Sequence, residues 1–228
     1  AKNLGTLAIG GNKSLGMAID VDDEGFNIGK INFSGTEGAG VYNTGTFTSD
    51  TASEINVTGN NSIGAYNKGT LTTKGKIVTT SEKSTGMFAN NASTLADSVI
   101  KNEGNINLKA KNTVGIYTPN SMITKVGNIT LNDDADSSVA VYLTEKATVS
   151  DTTTGNISLG TRNQNRVAYY IKGTGASDTG KINGSNIGKV TGYGVGVYLD
   201  GGVLDGSSSK LDYTTGGATG NGIIGLLM

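Results

Sequence analysis

The sequence has no cysteine, no histidine and no tryptophan, and a single proline, Pro119, in 228 residues. Without cysteine there is neither a disulfide framework nor a thiolate metal site. Without histidine the commonest general base and the commonest metal ligand are both missing. One proline also excludes a collagen-like chain, although glycine is abundant at 36 residues. Charge of one sign is lacking too: 18 basic residues face 19 acidic ones, a net of −1. No basic face is evident, so nucleic acid is not an expected partner. No apolar run approaches the ~20 residues that span a bilayer, and Ala1 to Ile9 has no signal-peptide pattern. The apolar residues, 35% of the chain, arrive in regular alternation, unlike a disordered tract.

What is present is a repeat. Its clearest copies are Ala39-Gly40-Val41-Tyr42, Ile63-Gly64-Ala65-Tyr66, Val114-Gly115-Ile116-Tyr117 and Val195-Gly196-Val197-Tyr198. Looser copies centre on Gly16, Gly86, Ala140, Ala168 and Gly225. The nine central positions are 24, 24, 22, 29, 25, 28, 28 and 29 residues apart. A period of this size signals a repeat architecture.

Each repeat holds three short apolar segments. The first is the motif. The second reads Gly45-Thr46-Phe47, Gly69-Thr70-Leu71, Ser93-Thr94-Leu95, Ala147-Thr148-Val149 and Gly202-Val203-Leu204, with Met122-Ile123 in the same slot. The third reads Gly29-Lys30-Ile31, Glu54-Ile55-Asn56-Val57, Gly75-Lys76-Ile77, Gly104-Asn105-Ile106, Gly127-Asn128-Ile129, Gly155-Asn156-Ile157 and Gly180-Lys181-Ile182. Alternation of period two with β-branched residues predicts strands. No repeat holds the amphipathic run a helix needs, and the period is too short for a four-stranded propeller blade. The expected fold is all-β: a right-handed parallel β-helix with three-stranded coils of 22–29 residues, roughly nine coils, the handedness following from the crossover rule. At ~4.8 Å per coil the rod is roughly 40 Å long. Residues 1–228 read as a single such segment. Asn3-Leu4-Gly5-Thr6-Leu7 resembles Asn67-Lys68-Gly69-Thr70-Leu71, and Gly222 to Met228 stops inside a motif copy, so a fragment of a longer chain is expected.

Candidate chemistry is sparse. The acidic groups Asp20, Asp22, Asp23, Glu24 and Asp133, Asp134, Asp136 fall in predicted turns, where charge runs usually mark solvated surface. Asp20 to Gly25 imitates the start of a calcium loop, but Ile31 stands where a bidentate Glu is required. Gly192-Tyr193-Gly194-Val195-Gly196 carries phosphate-loop glycines with no helix after them, and reads as a turn into a strand. No catalytic, cofactor or metal residues are assigned.

The informative position lies two residues after the central glycine. It holds Tyr42, Tyr66, Phe88, Tyr117, Tyr142, Tyr170 and Tyr198 in seven consecutive coils. In a straight strand the residues flanking the glycine share the core face, and glycine and tyrosine face outward. An exterior aromatic ladder is then expected, suited to binding a sugar or a protein partner. The competing expectation is a purely structural stack of rings at a corner.

The pattern Ser-x-Gly-x-Tyr-x-x-x-Gly-Thr-Leu followed by Gly-Asn-Ile-x-Leu resembles the passenger-domain repeats of large type V autotransporter adhesins, above all the giant outer-membrane adhesins of fusobacteria. Ser62 to Leu71 and Gly104 to Leu108 show it, and it covers essentially the whole chain. The resemblance implies a virulence-associated passenger, secreted through a C-terminal barrel outside this segment and displayed on the bacterial outer membrane. Such a passenger attaches to a host or bacterial surface protein or glycan. It implies no catalytic motif and no cofactor, and a monomer is expected. A polysaccharide-degrading β-helix enzyme and a ligand-free stalk are the alternatives. Three or more charged side chains on one open face of adjacent coils would favour the enzyme.

Overall fold

The computed structural model describes residues 1–90, 98–150, 155–162, 164–175, 178–183, 187–205, 213–214 and 223–228. Among them every regular element is a strand. The strands form three parallel sheets, each built from one strand of every coil. The motif sheet contains Leu15–Ile19, Ala39–Asn43, Ile63–Asn67, Thr85–Ala89, Val114–Pro119, Val139–Thr144, Val167–Gly175, Gly194–Asp200 and Ile223–Leu227. The second sheet contains Lys2–Asn3, Glu24–Asn27, Thr46–Ser49, Thr70–Thr73, Val99–Asn102, Met122–Lys125, Thr148–Val149, Lys181–Asn183 and Val203–Asp205. The third contains Thr6–Ile9, Lys30–Phe33, Glu54–Val57, Lys76–Thr79, Asn105–Leu108, Asn128–Leu131, Ile157–Ser158, Val190–Thr191 and Tyr213–Thr214. Nine strands per sheet, each hydrogen-bonded to its counterpart one coil away, make a parallel β-helix with three-stranded coils. One antiparallel addition, Asp178–Thr179, pairs with the long strand Val167–Gly175.

The core is a set of columns in register. Ile31, Ile55, Ile77, Ile106, Ile129 and Ile157 stack along the third sheet, all at 2% exposure or less. Phe47, Leu71, Ile100, Ile123, Val149 and Ile182 stack along the second. No coil can bury these side chains alone, so stacking supplies the hydrophobic stabilisation.

The corners are polar and share a device. At three corners where an Asn-x-Gly sequence leaves a strand, the asparagine amide turns inward and donates to the carbonyl of its own glycine. Asn43 reaches Gly45 at 3.1 Å, Asn67 reaches Gly69 at 2.7 Å and Asn27 reaches Gly29 at 3.3 Å. The amide also crosses to the next coil: Asn43 Nδ2 to Asn67 Oδ1 and Asn3 Nδ2 to Asn27 Oδ1, both at 2.7 Å. A buried amide is tolerated because its donors are satisfied in two coils at once.

The same device sits at two different corners, and three strand slots are filled by other residues than expected. Asn3-Leu4-Gly5 matches the corner Asn27-Ile28-Gly29, so Thr6–Ile9 lies in the third sheet beside Lys30–Phe33, not in the second. Lys181–Asn183 joins the second sheet between Thr148–Val149 and Val203–Asp205, and Val190–Thr191 fills the third-sheet slot of that coil. The second-sheet strand expected at Ser93-Thr94-Leu95 lies outside the described residues; Val99–Asn102 holds that slot, paired with Thr70–Thr73.

A fourth correction concerns the motif. The strand does not run straight through the central glycine. Ladder partners are Ala39 with Ile63 and then Val41 with Ala65; the two glycines between are not paired. A Cβ placed on Gly64 would lie 2.5 Å from the Gly86 carbonyl oxygen and 3.0 Å from Ile77 Cγ2. The glycine therefore points into the core, and it and the next residue are consecutive inward positions, as at a β-bulge. Ala140 and Ala168, the only non-glycine central residues, are fully buried. The residue before the glycine is thereby turned outward, to the side of the tyrosine.

Candidate functional site: the aromatic face of the motif sheet

Tyr42, Tyr66, Phe88, Tyr117, Tyr142, Tyr170 and Tyr198 are all half-buried. They are cross-strand partners in a continuous ladder. Successive ring centroids lie 5.0, 5.1, 5.2, 4.9, 4.7 and 4.9 Å apart. That spacing is the coil rise itself. Tyr42, Tyr66 and Phe88 stack, as do Tyr117 and Tyr142; the remaining contacts are edge-to-face. Each such pair contributes about 0.5–1.5 kcal/mol beyond its burial. The ladder is outward-facing, as expected, and it is also a structural stack.

Beside it runs a second column that the alternation rule had placed in the core: Leu15, Ala39, Ile63, Thr85, Val114, Val139, Val167 and Val195. Leu15 is 48% exposed, and the six from Ile63 to Val195 are half-buried. The corner that follows the third sheet closes the other side. In six consecutive coils its turn carries a left-handed residue three positions before the central one: Lys13, Glu37, Asn61, Lys83, Asn112 and Ser137, with φ between 52° and 57°. A groove between the two columns is lined by Leu15, Glu37, Ala39, Tyr42, Ile63 and Tyr66, together with Asn61.

The ladder ends differently at its two sides. Beyond Tyr198 its partner is Leu227, and before Tyr42 it is Ala18, an exposed methyl group. Near the far end the Tyr170 hydroxyl donates to Asp200 at 2.8 Å, and Lys172 lies 3.8 Å from the same carboxylate. Burial first, then this bond to Asp200, pushes the Tyr170 phenol well above the ordinary tyrosine range.

The acidic turns lie where expected. Asp20 accepts from its neighbour Val21 at 2.8 Å, and no group of three or more metal-ligating side chains occurs among the described residues. The second turn does more than face solvent. Asp133 accepts from the Thr161 amide and hydroxyl, each at 2.7 Å, and lies 3.8 Å from Arg166. The Thr161 bonds lower the Asp133 carboxyl, with a further contribution from the Arg166 charge. Arg166 is fully buried. It replaces the Ser62, Ser84, Thr113, Ser138 column of the earlier coils, and its guanidinium donates to the carbonyls of Ala135, Asp133 and Leu159. Both corners it bridges are two residues longer than their predecessors, eight residues from Leu131 to Val139 and from Leu159 to Val167 against six from Leu108 to Val114. The long side chain fills that extra width.

On the third sheet Lys30, Glu54 and Lys76 are cross-strand partners, with Glu54 3.6 Å from one lysine and 3.9 Å from the other.

No protein-family model, no curated protein and no solved structure matches the chain.

Proposed function

We propose that this chain is a non-enzymatic adhesin segment, displayed on a bacterial cell surface and attaching it to host cells or other bacteria through the aromatic face. The observation that carries this reading is the doubled stripe of the motif sheet. An aromatic ladder over seven consecutive coils and a column that is apolar but for Thr85, and half-buried from Ile63 to Val195, lie side by side on the outside of the rod. A column needed only for folding would be expected inside; a contiguous apolar stripe on a surface marks an interaction site. The sequence resemblance to autotransporter passengers agrees with this reading.

The trio Lys30, Glu54 and Lys76 on an open face of three adjacent coils favours the polysaccharide-degrading alternative. It ranks second because the trio offers one carboxylate, where hydrolysis of a glycosidic bond uses two. Alternating signs in register are also what cross-strand ion pairing alone produces.

Labelled chain applied to epithelial cells and to bacteria tests the adhesin. Saturable attachment is expected, and the variant carrying Tyr66→Ser, Tyr117→Ser and Tyr142→Ser together should lose it while still melting cooperatively. Attachment that is undiminished in that variant would rule out the aromatic face. Sugar release from a pectin-like polymer would favour the enzyme, and absence of attachment by the unmodified chain would favour the stalk.

A further inference from the structure

The ladder geometry restricts what the aromatic face can hold. Rings one coil rise apart leave no room for a ligand between them. In the stacked run of Tyr42, Tyr66 and Phe88 the ring between presents only its edge and hydroxyl, and a ring face is free only where that run meets the end of the ladder. At one end Leu227 takes the next position. At the other, Tyr42 is stacked on Tyr66 with 14° between planes, and its opposite face is turned toward the coil of Ala18, whose side chain is one methyl group. The groove described above reaches that same end, and Tyr42 is part of its lining.

The dimensions argue against a second rod or a large globular partner. The stripe is roughly 30 Å long over its seven coils and, from the apolar column to the ladder, about 10 Å wide at the rise of a strand, or ~300 Å². A stable protein interface needs about 800 Å² from each side. A small or slender occupant fits. Charge narrows it further: Glu37, the one carboxylate in the groove lining, lies 3.6 Å from Lys13, both exposed, and Lys68 lies 5.9 Å from the Tyr66 ring centroid, so the groove does not call for a cation. A carboxylate and the Asn61 carboxamide at the rim supply hydrogen-bond acceptors and donors. An aromatic face beside such groups suits a molecule with one apolar C–H face and a girdle of hydroxyls.

We infer that the free face of Tyr42, with Leu15 and Ile63 beside it and Glu37 and Asn61 at its rim, is a subsite for a neutral pyranose, the terminal sugar of a glycan. The inference rests on the reading of the aromatic face as a binding surface. It places the ligand at one end of that face rather than along it.

The test is titration of the whole chain with the methyl glycosides of glucose, galactose, mannose and N-acetylglucosamine, followed by saturation-transfer NMR. At least one glycoside should bind weakly, with transfer from a tyrosine ring. Y42A should weaken it by roughly tenfold or more, the scale of one aromatic contact with its burial. A18Y should do the same by laying a ring over the free face, in a protein whose melting is unchanged. V203A, an exposed position on the second sheet and away from the aromatic face, should bind as the unmodified chain does. No binding by any of the four glycosides, indifference to A18Y and Y42A, or equal loss in V203A overturns the subsite. Cell attachment that persists in A18Y and Y42A would sink the subsite and leave the adhesin reading standing. Glycoside binding without cell attachment would sink the adhesin reading instead.

Discussion

Thr79 stands in a core column between Val57 and Leu108, fully buried, and its hydroxyl has no hydrogen-bond partner among the described residues. Burying an unpaired hydroxyl is costly, whereas a methyl in its place is not. Thr79→Val is therefore expected to raise the unfolding free energy by about 1 kcal/mol, read from urea midpoints at constant slope. A loss of stability would mean that a water satisfies the hydroxyl. Tyr170 acts in the other direction. Its phenol is held protonated in the fold by burial and by the bond to Asp200, and burial also raises Tyr142. A group whose folded pKa is raised favours the fold below its unfolded value, about 10 for tyrosine. That contribution is lost as the pH climbs above it, because the unfolded chain ionises first. Stability should thus fall steeply on the alkaline side. Phenolate absorbance should show two tyrosines ionising late, and Asp200→Asn should bring one of them part of the way back. Unchanged titration in that variant would show that burial alone sets the shift.

At the scale of the element, the bulge at the central glycine is the feature on which the aromatic face depends. Gly64→Ala puts a Cβ against the Gly86 carbonyl, a backbone atom that moves only with its strand. A loss of about 1–3 kcal/mol is expected, the usual cost of overpacking. Ala140→Gly, in a coil already relaxed around a methyl, should cost no more than about 1 kcal/mol. Equal effects in thermal melts would show that the slot is not tight. This bulge also explains what could be read in advance. Period-two alternation correctly separates strands from turns and finds the tyrosine column, because both depend only on local pleating. It cannot reveal that Gly64 and Ala65 face the same way, since a bulge is imposed by the close approach of the next coil. Alternation therefore points Leu15, Ile63 and Val139 into the core, although Leu15 and Ile63 line the groove and Val139 is half-buried in the same outward column. The Asn-x-Gly corner misleads for a related reason. It is a local solution to a sharp inward turn, used after both the motif and the second strand, so Thr6–Ile9 is ambiguous until its neighbours are known. Lys181–Asn183 follows Thr179-Gly180 and shares the Gly-Lys-Ile pattern of the third sheet, yet pairs in the second. Arg166 gives no sequence signal at all; only the lengthened corners at 131–139 and 159–167, aligned coil on coil, show the space that it fills.

For the whole molecule, the pairings of the three parallel sheets each join a coil to the coil before or after it, so stability is close to a sum of coil terms and interface terms. In residues 1–228 taken by themselves, the first coil has one such interface where an interior coil has two. Amide exchange under native conditions should therefore be slower in Thr85–Ala89 than in Leu15–Ile19, with a graded rise between them. Uniform protection would indicate a single all-or-none unit. The same registration has a consequence for how the protein changes over generations. Each core residue touches its counterparts one period away, and those counterparts are chemically alike. A recombination event that removes or duplicates one full period, begun at any point in the coil, joins strands to partners they already fit. The rod can lengthen or shorten in steps of one coil without a new core being invented, and the number of rings between Ala18 and Leu227 is free to vary while the end that carries Tyr42 stays as it is.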